Sequence, residues 1–342
     1  MRVRPLVSVI VPNYNYAPSL PLCLRALLNQ TYHPVEIIVV DDCSTDDSVD
    51  VAHALGVRVI RRTENGGCAA ARNTGAAEAR GEILFLVDSD VMVAPDAIEK
   101  AVAILESDPR VGAVCGIADP VPLIRDSLLE EYRALQFHHW SASSEGDVSF
   151  LFPAMCAIPA KVFAEIGEFN ARLKQTEEVD YGYRLSQRYR LLLTSAVRGR
   201  HDHDHDLRTL LRKLFHRGRA RIPLYARVRR FAKGFETGSR AWGSLAALGA
   251  VVAAGLPLLL GPAWTVLPVG LLAASVAADA GMYRFVLSRR GPAFLAYFTA
   301  VHFLVNVTIA VAAGTGVLQW LLSDRFRRLY DTTPLASREP AV

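Results

Sequence analysis

The stretch EILFLVDSDVMVAPDA, residues 82–97, decides how this chain is read. Five apolar residues, Ile83 to Val87, run straight into Asp88-Ser89-Asp90. A short unbroken apolar run closed by turn residues is the pattern of a strand buried on both faces. Two carboxylates one residue apart at its end have two explanations. Strands end in polar turns, and Asp and Ser form turns well. The alternative is that the two acids hold a metal ion at the end of a strand.

The flanking sequence favours a site. Val7 to Val11 is a β-branched run, and Leu20, Leu24, Leu27 and Leu28 follow at helical spacing. Val35 to Val40 reads as a second strand, broken only by Glu36. Residues 46–55 read as a helix capped by Ser44 or Thr45, 57–60 as a third strand, and the Ala-rich 68–80 as another helix. Strands alternating with helices predict an α/β domain with a mostly parallel sheet and helices on both faces. In such sheets ligands bind beyond the carboxyl ends of the strands. Three polar clusters fall there: Pro12-Asn13-Tyr14-Asn15, Asp41-Asp42-Cys43-Ser44 and Asp88-Ser89-Asp90.

The 342 residues are more than one average domain holds, and 51% of them are hydrophobic. The apolar excess is concentrated late. Residues 241–278 and 291–323 contain no Asp, Glu, Lys or Arg. Each run exceeds the about 20 residues that cross a bilayer, so two or three spans are expected. Between Arg198 and Arg240 lie 13 Lys/Arg against four acids, just before the first run. That bias favours the cytoplasmic side and anionic lipid, and its position beside membrane segments argues against nucleic acid. The first apolar run, Leu6 to Val11, is too short for a signal peptide, which leaves the N-terminal part cytoplasmic. Five cysteines without metal-type spacing fit reduced thiols.

The ordered set VSVIVPNYN, VVDDCSTD, NGGCAAARNTG, LFLVDSD and, later, TEEVDYGYRL resembles the family 2 glycosyltransferases of the GT-A fold. The match covers residues 6–98 and resumes at 176–185. The resemblance implies a nucleotide-diphosphate sugar donor and Mn²⁺ or Mg²⁺. It implies nucleoside contacts from Pro12, Tyr14 and Asp42, with Tyr14 free to stack on a base. Arg72, after Gly66-Gly67 and near a helix start, is placed near the nucleotide; a surface ion pair is the alternative. Asp90 is the metal ligand of choice, while Asp88 binds either metal or ribose. The ion neutralises the leaving diphosphate, and hard oxygen ligands suit it.

The family has Glu-Asp where this chain has Glu177-Glu178, so Glu178 stands where the general base is expected. A glutamate carries out the same proton transfer. Asp180 is a second candidate, or else pairs with Arg184 one turn on. His201, His203 and His205 share one face if RHDHDHD is a strand, and a histidine of this region, with His203 central, joins the metal set. The aromatic cluster from Phe137 to Trp140 belongs either to an acceptor loop or to the core. Leu207, Leu210, Leu211, Leu214 and Phe215 form one face of a basic amphipathic helix suited to a membrane interface or to packing on the catalytic domain, and the apolar runs that follow favour the interface.

The chain therefore divides into a GT-A catalytic domain at 1–205, a basic interfacial segment at 206–240, a hydrophobic membrane region at 241–323 and a polar tail at 324–342. The reading is an inverting, metal-dependent glycosyltransferase acting on a lipid-linked or glycan acceptor at the cytoplasmic face of a bilayer. Two rivals are a nucleotidyltransferase and a non-catalytic membrane scaffold. The first expects a Gly-rich, Arg-containing loop where Pro12-Asn13-Tyr14-Asn15 stands; the second is favoured only by Glu178. Arg284, Arg289 and Arg290 between the apolar runs, and Arg325, Arg327 and Arg328 after them, all prefer the cytoplasm. Three simple crossings cannot satisfy both groups.

Overall fold

The computed structural model describes residues 4–228, 234 and 237–331. Parts of the interfacial segment (229–233, 235 and 236) and of the tail (332–342) lie outside the described residues.

The apolar runs become strands, and the runs with helical period become helices. In chain order these are β1 (Val7–Asn13), α1 (Leu20–Leu28), β2 (Val35–Asp41), α2 (Ser48–Ala54), β3 (Arg58–Arg61) and α3 (Cys68–Ala77). Then come β4 (Ile83–Val87), β5 (Val91–Val93), α4 (Ala97–Ser107), β6 (Val111–Ala118), α5 (Leu128–Ala142) and β7 (Gly146–Val148). Next are β8 (Met155–Pro159), α6 (Ala160–Ile166), α7 (Glu177–Ser186), β9 (Arg190–His201) and α8 (Leu207–Val228). The C-terminal part holds α9 (Gly238–Ala253), α10 (Leu256–Leu260), a 3₁₀ turn at Pro262–Thr265, α11 (Val266–Ala277), α12 (Ala280–Leu322) and α13 (Asp324–Arg327).

The strands form one sheet in the order β3-β2-β1-β4-β8-β6-β9-β5, with β7 beside β9. β3, β2, β1 and β4 are parallel, β8 runs against β4 and β6, and β9 is parallel to β6. β5 and β7 run against β9. The fold is thus the expected α/β class with a mostly parallel sheet. One face is packed by α1, α2 and α4 around Leu24, Val39, Phe85 and Ile98; the other by α3, α6 and α7 around Ile38, Leu86, Phe163 and Tyr181. A Cβ on Gly75 would stand 2.4 Å from Ile10 Cγ2, so only glycine lets α3 lie this close to β1.

The C-terminal part departs from a simple set of spans. α9 and α11 are short and fold into a hairpin, closed where Ser239 Oγ donates to the Ala278 carbonyl at 2.5 Å. Among the described residues one helix, α12, is long and apolar enough to cross a membrane, by length and composition. Gly291, with φ 75°, breaks it ahead of Pro292.

The basic helix α8 is not left with a free apolar face. Leu210 is buried, and Leu207, Leu211 and Leu214 pack into a cluster with Tyr132, Phe294, Phe298, Val301 and Val305. The interface reading of that face is corrected to this extent: α12 and α5 cover much of it, because each carries an apolar stripe of its own at the same level. The core of the catalytic unit also reaches past residue 205. Leu224 and Tyr330 are buried in the cluster around Phe163 and Tyr181.

Candidate functional site

The carboxyl ends of β2, β1 and β4 lie side by side, with Asn13 in register with Asp41. Asp88 to Val91 make a tight turn, closed where the Val91 N–H donates to the Asp88 carbonyl at 3.0 Å. A strand-ending turn and a site therefore coexist here. The turn is there, and it sets Asp88 on the lining of a cleft and Asp90 against His201, which lines the same cleft.

Arg72 is the centre of the charge arrangement. Its Nη2 donates to Asp88 Oδ1 at 2.7 Å, and its Nη1 donates to Glu177 Oε1 at 2.9 Å. The guanidinium is buried and lies 5.7 Å from the Phe169 ring. It is not a surface ion pair: it clamps α7 to the strand-end acid while lining the cleft, and its Nε is buried without a hydrogen-bond partner. Burial, with Glu178 beside it, pushes the Glu177 carboxyl up to about 7 against the pull of Arg72. Glu177 Oε2 is buried without a hydrogen-bond partner.

Glu178 and Asp180 part company. Glu178 lines the cleft, with Oε1 3.4 Å from Arg221 Nη2. Asp180 faces the core and accepts from Arg184 Nε at 3.1 Å; Arg184 in turn donates to the Ile166 and Glu168 carbonyls. The helical pairing is thus what the structure holds for Asp180, and it ties α7 to the end of α6. All three acids sit in the first turn of α7, where the helix dipole favours negative charge.

Asp42 is buried and already engaged. Its carboxylate accepts from the Gly66 N–H at 3.0 Å, the Gly67 N–H at 2.7 Å and Arg62 Nε at 2.7 Å. It therefore shapes the loop before α3 instead of offering a free acceptor. Gly67, with φ 83°, takes a conformation that suits glycine at this helix start. Pro12 is buried within β1, while Tyr14 is 46% exposed at the rim and free to stack on a flat ligand. Asn13 Oδ1 is buried without a partner at the same rim.

The histidine tract is resolved by geometry. His201 ends β9, and its Nε2 lies 3.3 Å from Asp90 Oδ1. His203 is buried beside it, ring centroids 4.6 Å apart, and its Nε2 has no partner. His205 is exposed. The three do not share a strand face, because β9 stops at His201 and 202–206 are loop. Burial lowers the His201 pKa, but Asp90 outweighs it and leaves the imidazole above its usual value.

No three His, Cys, Asp or Glu side chains among the described residues form a ready-made metal centre. The donors present are nonetheless of the right kind. His203 Nε2 is a buried atom without a hydrogen-bond partner, and Asp90 Oδ1 is buried with only the His201 ring, at 3.3 Å, beside it. Mg²⁺-type ions are commonly held by one or two carboxylates, with substrate phosphates completing the shell.

The cleft below this rim has a volume of about 210 Å³. Its far wall was not visible in the sequence. Arg133 of α5 and Arg217 of α8 line it together with Glu177, Glu178, Phe137, Phe150 and Phe152. Arg133 bonds Gln136 Oε1 at 2.5 Å and lies 5.5 Å from the Phe137 ring. Burial lowers its pKa, and Arg217 and Arg221 add repulsion. Tyr16 was also missed. Asp90 and burial hold its phenol well above the usual range, which places it beside the acids.

Residues 8–167 match the family described as Glycosyl transferase family 2. The chain is 29% identical over 188 residues to an uncharacterized glycosyltransferase of Haemophilus influenzae, covering 53% of this chain and 62% of that protein. It is 43% identical over 99 residues to the glycosyltransferase GlyG of Streptococcus pneumoniae, covering 28% and 33%. The chain thus spans less than two thirds of these curated relatives. A solved mannosyltransferase of Pyrobaculum calidifontis, PcManGT, in complex with GDP-Man and Mn²⁺, superposes with a TM-score of 0.57 at 23% identity. It covers 91% of this chain and 88% of that one, a likeness of fold. The fold is a GT-A-like α/β architecture with a mostly parallel sheet. Residues 8–167 thus form a family 2 glycosyltransferase domain.

Proposed function

We propose that the chain is a metal-dependent, inverting transferase that moves a sugar from a nucleotide-diphosphate sugar to a lipid-linked acceptor at the cytoplasmic face of a membrane. The observation that carries the reading is the Asp88–Val91 turn. It joins the Arg72–Asp88–Glu177 clamp to the Asp90–His201 pair over one cleft.

The roles follow from position. Tyr14 stacks on the base, and the loop braced by Asp42 receives the nucleoside. Asp90, Asp88 and His203 would hold Mn²⁺ or Mg²⁺, which supplies positive charge to the departing diphosphate. PcManGT, solved with GDP-Man and Mn²⁺, supports that donor chemistry. An acceptor oxygen attacks C1 of the sugar from the face opposite the diphosphate. The C1–O bond breaks, and the nucleoside diphosphate leaves with the electron pair.

Two acceptor chemistries are open to this geometry, and one observation supports the second. A hydroxyl acceptor needs a base, and Glu178 faces Arg221 at 3.4 Å. A phosphate acceptor is already anionic and needs none. Arg133 and Arg217 face the cleft without a carboxylate within ion-pair distance among the described residues, and Arg217 Nε has no hydrogen-bond partner. A guanidinium removed from water calls for an anion. A lipid phosphate is the acceptor favoured.

The test is a melting-temperature screen of UDP, GDP, CDP and dTDP with and without Mn²⁺, on wild type and Asp90→Ala. A ligand that binds only the folded state raises the melting temperature. A Mn²⁺-dependent rise with one nucleotide, lost in the variant, supports the reading. No rise with any nucleotide in folded protein returns it to a non-catalytic scaffold.

A further inference from the structure

α12 has the composition of a membrane span, yet the catalytic unit touches it along its whole length. Near its start, Phe298 packs on Tyr132 of α5 with ring centroids 4.7 Å apart. Midway, His302 Nδ1 lies 2.9 Å from the Tyr132 hydroxyl and 3.1 Å from Gln136 Nε2. Further on, α8 lies against it: a Cβ on Gly218 would be 3.1 Å from Ala312 Cβ, and one on Gly316 would be 2.6 Å from Ile222 Cγ1. Beyond its end Tyr330 is buried, its hydroxyl 2.9 Å from Thr176 Oγ1 and 3.0 Å from the Ala220 carbonyl. Thr176 immediately precedes Glu177.

These contacts are incompatible with a crossing. From Pro292 to Leu322 the helix is about 46 Å long at 1.5 Å per residue. The hydrocarbon core is about 30 Å thick. A crossing would carry Tyr330 to the face opposite Met282, yet both are buried, one in the catalytic core and one against α5. It would also submerge α8, which runs beside residues 298–316 and carries Arg208, Arg212, Lys213, Arg217, Arg219 and Arg221. Cations in hydrocarbon are expensive.

We propose that α12 does not cross the membrane but lies along its surface, and that the α9–α11 hairpin is the element that enters the lipid. The exposed face of α12 suits this. Leu304, Val311 and Leu318 recur every seven residues and are 43%, 40% and 57% exposed, one apolar stripe on the side away from α8. The hairpin tip is more apolar still: Leu258, Leu259 and Val266 are 91%, 79% and 76% exposed. Its two ends meet where Gly243 faces Ala278, so the chain enters and returns on one side. Arg284, Arg289 and Arg290 then share the catalytic side with Arg325, Arg327 and Arg328. The conflict in the charge pattern disappears.

The proposal rests on the membrane-bound reading above, and the experiment separates the two. The full chain is prepared in sealed vesicles with the catalytic unit outside, in a background with Cys43 and Cys68 changed to serine. Lys161→Cys on the catalytic unit, Ser288→Cys, Arg328→Cys and Leu259→Cys are treated with a membrane-impermeant maleimide. Lys161→Cys, Ser288→Cys and Arg328→Cys should all be modified from outside. Leu259→Cys should not be, until detergent is added. Modification of Ser288→Cys and Arg328→Cys from opposite faces overturns the proposal while leaving the membrane reading intact. So does modification of Leu259→Cys from outside. Protein recovered free of the vesicles overturns both.

Discussion

Glu177 is buried in the structure, ion-paired to Arg72 at 2.9 Å, and its carboxyl is raised from 4.5 to about 7. Glu177→Gln keeps the side-chain shape and an acceptor for Arg72, but it removes the ionisation. The sign follows from the raised value. In the unfolded chain Glu177 ionises near 4.5; in the folded chain it keeps its proton to about 7. Between those limits the folded state binds more protons, so wild-type stability falls as the pH rises. At about 1.4 kcal/mol per pH unit, the cost above pH 7 is roughly 3 kcal/mol, and it vanishes below pH 4.5. The variant lacks it. Melting of the detergent-solubilised protein, followed from pH 5 to pH 8, should show the variant gaining several degrees on wild type as the pH rises. Parallel curves would refute the reasoning: Glu177 would then be ionised throughout, with Arg72 outweighing burial.

Asp42→Ala strands two loop N–H donors and Arg62, a cost of about 2–4 kcal/mol. Melting should fall and nucleoside diphosphate affinity with it by calorimetry; unchanged values remove Asp42 from the loop's support. Gly316→Leu drives a side chain into Ile222 and the Arg219 backbone and should cost about 1–3 kcal/mol or more in a denaturation series. Gly314→Leu, where a Cβ meets nothing within 4 Å, should be near neutral, and equal effects would refute the α8–α12 packing. Arg133→Met should lower transfer to a polyprenyl phosphate about ten-fold or more, the loss of one charged hydrogen bond, while leaving the nucleotide-induced melting shift unchanged. Loss of the shift instead would place Arg133 on the donor.

The parallel half of the sheet was legible because its strands are continuous apolar runs, each ending in a polar cluster. Asp88, Asp90 and Asp42 could be found one strand end at a time. The antiparallel insertion of β8 was not, since MCAIP carries no mark of direction. Nor was the Arg72–Glu177 clamp, whose partners lie 105 residues apart. Arg133 on α5 reads in sequence as one more solvated helix charge. Its place in the cleft lining beside Arg217 of α8 shows only in the fold. The apolar face of α8 was legible but its neighbour, α5 and α12, was not, because amphipathic periodicity says that a face is covered without saying by what.

The burial of Tyr330 bears on how separable this enzyme is. Its ring closes the same core that holds Phe163 and Tyr181, and its hydroxyl reaches the residue ahead of Glu177. The catalytic half is therefore not autonomous. A chain cut after residue 205 would expose Leu224's seat and leave the α7 acids without their backing. The C-terminal helices and the α7 acids share one hydrophobic seal, so damage at residue 330 should be felt at residue 177.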